Sequence, residues 1–246
     1  MPAAAKRPPR PAPAVWQGAR VPAAPDTAEL VRRALAYPYN LPAGSFVQVG
    51  DRTLPVPPEE PDIDGRRALL AYGANASPEA LTRKLARLPP EPIAVLRVLL
   101  TGWDVVYSAH VTRYGSVPAA VVPSPGTVAS VHLVFPSDEQ LAAITATEGA
   151  NYELRQLADF SAEYEIGGEG PVEIDAFISV HGPLLLDGAP VALAAIPARD
   201  RAFAELTTPD MIERVRAALH PDLTLEDFVL HHVNHGGRPL PPDLLG

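Results

Sequence analysis

Proline is the residue type that most constrains how this chain folds. The sequence holds 30 prolines in 246 residues, about twice the usual share of roughly 5%. Proline lacks an amide proton and fixes its own backbone angle, so it is poorly tolerated inside helices and central strands. The prolines therefore argue against a helical bundle and for short elements separated by many turns. The hydrophobic share of 47% is that of a folded protein, and the length predicts one main domain.

The charge and the cysteine content exclude several functional classes. The formal net charge is −9, so nothing in the overall balance attracts the chain to nucleic acid. The absence of cysteine excludes disulfides, thiolate metal sites and a cysteine nucleophile. No run of about 18 apolar residues predicts a membrane span, and no apolar segment of a secretory signal follows the first basic residues. We therefore expect a cytoplasmic protein with neither nucleic acid nor a membrane as its partner.

The distribution of prolines and apolar residues divides the chain into four segments. Residues 1–25 hold seven prolines and eight alanines, and this composition predicts a disordered tail. Residues 26–67 predict an arm that contains one helix and several turns. The dense apolar content of residues 68–190 predicts the main domain. Residues 191–246 carry two helix patterns, which begin at Thr208 and Thr224. We expect them to form an extension packed on that same domain.

The order of elements in the main domain indicates its fold class. One strand and one helix come first, followed by many strands separated by short turns and a single inserted helix at residues 138–147. Sequential strands joined by tight turns pair in an antiparallel manner. We therefore predict an α+β fold with a largely antiparallel sheet or barrel. The strands after the first helix are predicted at residues 93–100, 103–110, 117–122, 128–135, 154–164 and 172–180. A hairpin is predicted at residues 186–189, and Ser137 is the predicted cap of the inserted helix.

A first candidate site, Tyr72-Gly73-Ala74-Asn75, lies between the first predicted strand and the helix that follows it. Gly73 permits backbone angles that other residues avoid, and successive amide groups in such a turn can converge on an anion. The dipole of the following helix adds to this attraction, so a substrate carboxylate would suit the turn. The same residues are also compatible with an ordinary tight turn that binds nothing.

A second candidate site, Glu148-Gly149 followed by Tyr152, lies at the end of the inserted helix. The helix dipole opposes a carboxylate at this end, so Glu148 does not serve to stabilise its own helix. No Lys or Arg lies within six residues of Glu148 in the sequence. We therefore expect an apolar pocket without a cationic neighbour, in which the carboxylate accepts a proton. The alternative is a solvated glutamate in front of a glycine that ends the helix.

The two motifs, taken in this order, give the chain a family resemblance. Together with Gly115 and the run Ala119-Ala120-Val121-Val122-Pro123, they make residues 68–182 similar to the γ-glutamylcyclotransferase-like family. This resemblance implies a small mixed β-barrel with flanking helices, and an enzyme that uses neither a metal nor an organic cofactor. It implies Glu148 as the catalytic acid and base, although Ala74 stands where the family usually has serine. The substrate-binding residues that it implies are Tyr72, Gly73, Ala74, Asn75 and Tyr152.

The resemblance also implies a reaction, the cleavage of a γ-glutamyl amide or a related small amide. The substrate α-amine would attack its own γ-carbonyl, and one glutamate would remove a proton from the attacking amine and return it to the leaving amine. The amides of the turn would position the substrate. A non-catalytic alternative stays open, in which the same fold binds a small molecule or assembles a homo-oligomer through the arm and the C-terminal helices.

Two further patterns are compatible with chemistry but have simpler explanations. His231 and His235 lie four residues apart, a spacing that two metal ligands use on one helix face, yet the sequence places no acidic third ligand beside them. Histidines in the last turn of a helix are also favoured by its dipole, so we predict no metal site. Ser108 and His110 would share one face of a strand without an acidic partner. A serine hydrolase is therefore not favoured.

Overall fold

The computed structural model describes residues 26–56, 63–165 and 167–246, which form five α-helices and fifteen strands. The predicted disordered tail, residues 1–25, lies outside these described residues. The α-helices are α1 (Thr27–Leu35), α2 (Pro78–Leu85), α3 (Asp138–Glu148), α4 (Thr208–Leu219) and α5 (Leu225–His235). Short 3₁₀ helices lie at Ala74–Ala76 and Gly149–Asn151. None of the helices in the described part of the chain is long and apolar enough to cross a bilayer.

Most of the strands contain only two to five residues. They are β1 (Phe46–Val49), β2 (Arg52–Pro55), β3 (Leu69–Ala71), β4 (Ile93–Tyr107), β5 (His110–Val111), β6 (Ala119–Phe135), β7 (Tyr152–Gln156), β8 (Ser161–Tyr164), β9 (Asp175–Ser179), β10 (Leu185–Leu186), β11 (Ala189–Pro190), β12 (Ala192–Leu193), β13 (Ala198–Arg199), β14 (Glu205–Leu206) and β15 (Arg238–Pro239). Short strands separated by turns are what the high proline content predicts.

Two long strands, β4 and β6, form the centre of the sheet and pair antiparallel along most of their length. The sequence predicted four separate strands here, because Gly102 and residues 124–126 have the composition of turns. That prediction is wrong at both places. The pairing register shifts between Thr101 and Gly102, so a β-bulge bends the strand there without ending it. Gly102 has a φ of +98°, which glycine adopts without strain.

The sheet is mixed, and its main path is open. The strands follow the order β14-β12-β4-β6-β3-β9-β7, with further strands attached along the long central pair. Most neighbours are antiparallel, whereas β3 pairs with β9 and β12 pairs with β14 in a parallel manner. Within the described residues, no pairing joins the two ends of this path. The predicted α+β class is therefore confirmed, and the closed barrel is not.

Three helices begin at side-chain caps that the sequence contains. The Ser137 hydroxyl accepts a hydrogen bond from the amide of Gln140, and the Gln140 side chain accepts one from the amide of Ser137. This capping box fixes the first turn of α3. Thr224 caps α5 as predicted, whereas α4 is capped by Thr207, one residue before the predicted Thr208.

The N-terminal arm is tied to the C-terminal helices and to the central sheet. Helix α1 lies against α4 and α5 and buries Ala34 completely. After α1, the Thr208 hydroxyl donates a hydrogen bond to the Tyr37 carbonyl at 2.7 Å. The Tyr37 hydroxyl in turn accepts a hydrogen bond from the amide of Ala119, in β6, at 2.9 Å. These contacts bring Tyr37, in the part of the arm that follows α1, to the edge of a cavity beside β6.

Candidate functional site

A cavity of about 950 Å³ lies between the turn after β3, the C-terminal end of α3 and the segment after β5. Asn75 and Glu148 are 73 residues apart in the sequence and meet here. The structure therefore brings both sequence motifs to one place. The predicted site residues that line this cavity are Tyr72, Gly73, Ala74, Asn75, Glu148 and Tyr152.

The turn after β3 is held in place by its neighbours in the sheet. β3 is buried between β6 and β9, and the hydroxyl of the following Tyr72 donates a hydrogen bond to the Phe177 carbonyl. Gly73 has a φ of −146°, so it does not occupy the left-handed region. A Cβ atom at Gly73 would instead collide with the Tyr37 hydroxyl. Glycine is therefore required at this position by close packing, whereas the sequence suggested an unusual backbone angle.

Glu148 takes part in a triangle of polar side chains at the edge of the cavity. Asn75 donates a hydrogen bond from Nδ2 to Glu148 Oε1 at 3.2 Å. Lys84 Nζ donates to Glu148 Oε1 and to Asn75 Oδ1, both at 2.6 Å. The side chains of Lys84 and Glu148 are only 11% and 14% exposed. Both donors reach the same oxygen, so Glu148 Oε2 has no donor among the described residues.

The expectation that Glu148 lies in an apolar pocket without a cationic neighbour is wrong. Lys84 belongs to the last turn of α2 and lies 64 residues from Glu148 in the sequence. The packing of α2 against α3 places the ammonium group beside the carboxylate. The sequence contains no motif that marks Lys84, because only the contact between the two helices gives this residue its partner.

Three tyrosines form what we call the tyrosine floor: Tyr37, Tyr72 and Tyr152. Each hydroxyl is bound to a backbone group of the sheet, and that of Tyr152 donates to the Ala119 carbonyl at 2.8 Å. Burial is the main reason why the pKa of each of these phenols is raised, so all three remain neutral near pH 7. The floor therefore supplies a fixed, uncharged surface. Tyr37 was missed by the sequence analysis, since it belongs to the arm.

A buried histidine also lines the cavity. His110 Nδ1 lies 2.8 Å from the Ser108 hydroxyl, which lies 2.7 Å from the Ser179 hydroxyl. The His110 ring packs against Tyr152 and His181, with ring centroids 5.7 and 4.7 Å apart. Burial, reinforced by His181, lowers the pKa of His110 to about 3, so its imidazole is neutral near pH 7. Ser108 is fully buried and cannot reach a ligand as a nucleophile would.

His231 and His235 lie away from this cavity, in α5. Their rings stack with centroids 4.5 Å apart, and His235 Nδ1 lies 2.8 Å from the His231 carbonyl oxygen. Within the described residues, no group of three or more His, Cys, Asp or Glu side chains has an arrangement that could hold a metal ion. Among the described residues, His231 and His235 therefore have no third side chain placed to bind a metal ion with them.

Four exposed arginines line the mouth of the cavity and are called the arginine rim. They come from α2 and the residues after it, from the segment after β5, and from β15. No sequence pattern marks these arginines, because they are dispersed along a chain whose net charge is −9. The residues of the arginine rim are Arg83, Arg87, Arg113 and Arg238.

Comparisons with solved structures give likenesses at low sequence identity. One similar structure is a gamma-glutamyl cyclotransferase. It is 14% identical to this chain, with coverage of 70% of this chain and 88% of that one, and a TM-score of 0.36. A protein from Arabidopsis thaliana, whose structure was determined in solution, is 17% identical, with a TM-score of 0.35. That alignment covers 46% of this chain and 62% of the Arabidopsis protein.

The family that the sequence motifs resemble is thus represented among the similar structures. No family model matches the sequence, and no curated protein sequence matches it. TM-scores of 0.35 and 0.36 do not establish a common fold. The function proposed below therefore rests on the geometry of the cavity.

Proposed function

We propose that the protein cleaves a γ-glutamyl amide, or a related small amide, by cyclisation, and that Glu148 moves the proton. The observation that carries this proposal is the 3.2 Å hydrogen bond between Asn75 and Glu148 at the edge of the cavity. This hydrogen bond connects the turn and the glutamate. The backbone of the turn can bind a carboxylate, and the glutamate side chain can accept a proton. Both groups face the same space, which is what an intramolecular acyl transfer requires.

The reaction needs one group that accepts a proton and then returns it. The α-amine nitrogen forms a bond to the γ-carbonyl carbon of the same molecule, and the bond from this carbon to the leaving nitrogen breaks. The α-ammonium loses one proton before the attack and a second as the lactam forms, and the leaving nitrogen gains both and departs as the protonated amine. The products are a five-membered lactam and a free amine, so no co-reactant is consumed. Glu148 Oε2 is the oxygen available for both transfers, because Oε1 already accepts two hydrogen bonds.

The residues around Glu148 prepare it for this role. Lys84 and Asn75 orient the carboxylate by donating hydrogen bonds to Oε1, which leaves Oε2 free of donors among the described residues. The backbone amides of the turn at residues 73–75 would bind the substrate α-carboxylate. The tyrosine floor excludes water from one side, which strengthens electrostatic interactions within the cavity.

The test is incubation of the full-length protein with a panel of γ-glutamyl amines. Mass spectrometry should detect equal amounts of the five-membered lactam and the released amine. A matched control is the same amide with an acetylated α-nitrogen, which cannot attack and should stay intact. Release of the amine from the acetylated control would show hydrolysis and contradict cyclisation. Intact amides across the whole panel would contradict an amide-cleaving activity.

One observation favours the alternative of a non-catalytic binding domain. The Lys84 ammonium contacts Glu148 at 2.6 Å, so the carboxylate is already neutralised by a side chain of the same protein. In this alternative, the cavity binds a small amide without turnover, and the arm and C-terminal helices assemble a homo-oligomer. Calorimetric binding of a γ-glutamyl amide that stays intact, together with a multimer in sedimentation equilibrium, would favour it over the enzyme.

A further inference from the structure

The cavity carries more positive than negative charge. Among the described residues, its lining contains Lys84 and the arginine rim, whereas its carboxylate is Glu148. Lys84 and Glu148 form an ion pair and neutralise each other. Of the rim arginines, Arg83 contacts the exposed carboxylate of Glu79 at 3.5 Å, a geometry that contributes little. A concentration of uncompensated cations therefore surrounds the mouth of a cavity in an otherwise acidic chain.

Two of these arginines belong to a stack that alternates with tyrosine rings. The order of contacts along the stack is Arg83, Tyr39, Arg33, Tyr114 and Arg113. The successive distances from guanidinium carbon to ring centroid are 6.0, 5.7, 4.7 and 4.9 Å. Arg113 also donates a hydrogen bond to the Tyr114 hydroxyl at 2.7 Å. Cation–π contacts of this kind hold guanidinium groups in fixed positions while their edges stay free to donate.

The middle of the stack contains two features that folding alone does not favour. Arg33 Nε and Nη2 are buried without a hydrogen-bond partner among the described residues. Tyr39 has a φ of +76°, in the left-handed region that bulky residues avoid. Unsatisfied polar groups and strained backbone occur preferentially where a protein binds a ligand. Tyr39 and Tyr114 line the cavity, and the Arg33 guanidinium lies against both rings.

We propose that the arginine rim binds a doubly negative group on the amine portion of the substrate, either a phosphate monoester or a pair of carboxylates. This inference rests on the proposed function. The γ-glutamyl portion carries one ammonium and one carboxylate, so it cannot balance the charge of the rim. The remaining part of the substrate, which leaves as the amine, is the part that can carry this charge. Arginine is suited to this task because its planar group donates two parallel hydrogen bonds to carboxylate or phosphate oxygens.

The kinetic test uses substrates that differ only in charge. The first pair is γ-glutamyl-ethanolamine and its O-phosphate, and the second is γ-glutamyl-aspartate and its neutral diamide. We expect the anionic member of at least one pair to have a kcat/KM about tenfold higher or more. The pair that shows the preference identifies the anion as phosphate or dicarboxylate. Added salt should reduce this preference, since the attraction is electrostatic.

Variants assign the preference to the rim. The double substitution Arg83→Gln and Arg113→Gln should reduce the ratio of kcat/KM values to about one. Arg113→Lys retains the positive charge and should therefore retain part of the preference for the anionic substrate. Arg214→Gln is the matched control, because Arg214 is an exposed arginine in α4 that does not line the cavity. Equal kcat/KM values within both substrate pairs, or a ratio unchanged in the double variant, would overturn the proposal.

A binding measurement separates this proposal from the proposed function. Phosphoethanolamine, aspartate and ethanolamine cannot cyclise, so calorimetry with these amines measures binding without turnover, and the Arg83 and Arg113 double variant assigns that binding to the rim. Binding of an anionic amine that is lost in the Arg83 and Arg113 double variant, without turnover of any γ-glutamyl amide, would support the rim and contradict the enzyme. Turnover of neutral amides, without binding of either anionic amine, would support the enzyme and overturn the rim.

Discussion

The tyrosine floor and the arginine rim of the same cavity are held in place by different interactions. In the floor, each phenol hydroxyl is bound to a backbone group of the sheet. Tyr72 is buried in the core, and Tyr37 and Tyr152 are half-buried against it. In the rim, the arginine side chains are exposed. Arg83 and Arg113 contact aromatic rings of the stack, and the other members of the stack come from the arm and from the segment after β5. The floor is part of the folded core, whereas the rim is attached to its surface.

This difference separates stability from ligand choice. A substitution in the tyrosine floor, or in a residue that contacts it, disturbs the packing or the hydrogen bonds of buried groups and lowers the free energy of unfolding. A substitution in the rim leaves the core unchanged and alters the charge that an entering ligand meets. Substitutions in the tyrosine floor should therefore change the free energy of unfolding, whereas substitutions in the arginine rim should change ligand affinity.

The largest effect on stability is expected for Gly73→Ala, beside the floor. The new Cβ atom would collide with the Tyr37 hydroxyl, which is bound to the Ala119 amide. We expect a loss of about 3 kcal/mol in the free energy of unfolding, as for overpacking of a core. Urea unfolding measures this loss, and Tyr37→Phe in the same chain should recover part of it. An unchanged midpoint for Gly73→Ala would contradict the close packing described here.

The next largest effect is expected for Lys84→Met. The substitution removes two hydrogen bonds, one to Asn75 and one to Glu148, from a largely sheltered group. We expect a loss of about 2 kcal/mol of stability, since a hydrogen bond to a charged group contributes roughly 1.5–3 kcal/mol. The loss should be smaller when Glu148→Gln is already present. Strict additivity of the two substitutions in thermal unfolding would show that they do not interact.

A smaller effect concerns the pH dependence of stability through His110. Its pKa in the folded protein is lowered to about 3 from an ordinary 6.5, so the unfolded chain takes up the proton first as the pH falls. The corresponding stability is complete above pH 6.5 and is lost between pH 6.5 and about 3. At pH 5.5 the loss is about 1 kcal/mol. His110→Gln should flatten this slope in urea titrations, whereas His235→Gln, at an exposed position, should preserve it.

The smallest effect on stability is expected in the rim. Arg87 is exposed and has no carboxylate partner among the described residues, so Arg87→Gln should change the free energy of unfolding by less than about 0.5 kcal/mol. The affinity of the Arg87→Gln variant for phosphoethanolamine should nevertheless be lower than that of the wild-type protein. A stability loss as large as that of Gly73→Ala would show that the rim belongs to the core, and the contrast between the two regions would fail.

The sequence predicted the elements that local chemistry determines. The capping residues at Ser137 and Thr224 identify helix starts because a side-chain oxygen satisfies a free amide within one turn. The hairpin at residues 186–189 follows from Asp187 and Gly188, both of which adopt positive φ. The two motifs that line the cavity also lie at element ends, where their position can be inferred from their neighbours in the chain.

The sequence did not predict features that depend on distant packing. Gly102 has the composition of a turn, but pairing with β6 on one side makes it a bulge in a continuous strand. Lys84 acquires its partner only when α2 packs against α3. Tyr37 belongs to an arm with many turns, and its role depends on hydrogen bonds to β6 and α4. The rim is assembled from separate segments, so no local pattern marks it.

Proton transfer by Glu148 is tested by the turnover number of Glu148→Gln on an amide that the wild-type protein cyclises. The amide side chain has nearly the same shape but cannot accept and return a proton, so kcat should fall by about 100-fold or more with the fold retained. Glu153→Gln is the matched control, because Glu153 is an exposed glutamate in β7 that does not line the cavity. A kcat for Glu148→Gln within about twofold of the control would contradict proton transfer by this residue.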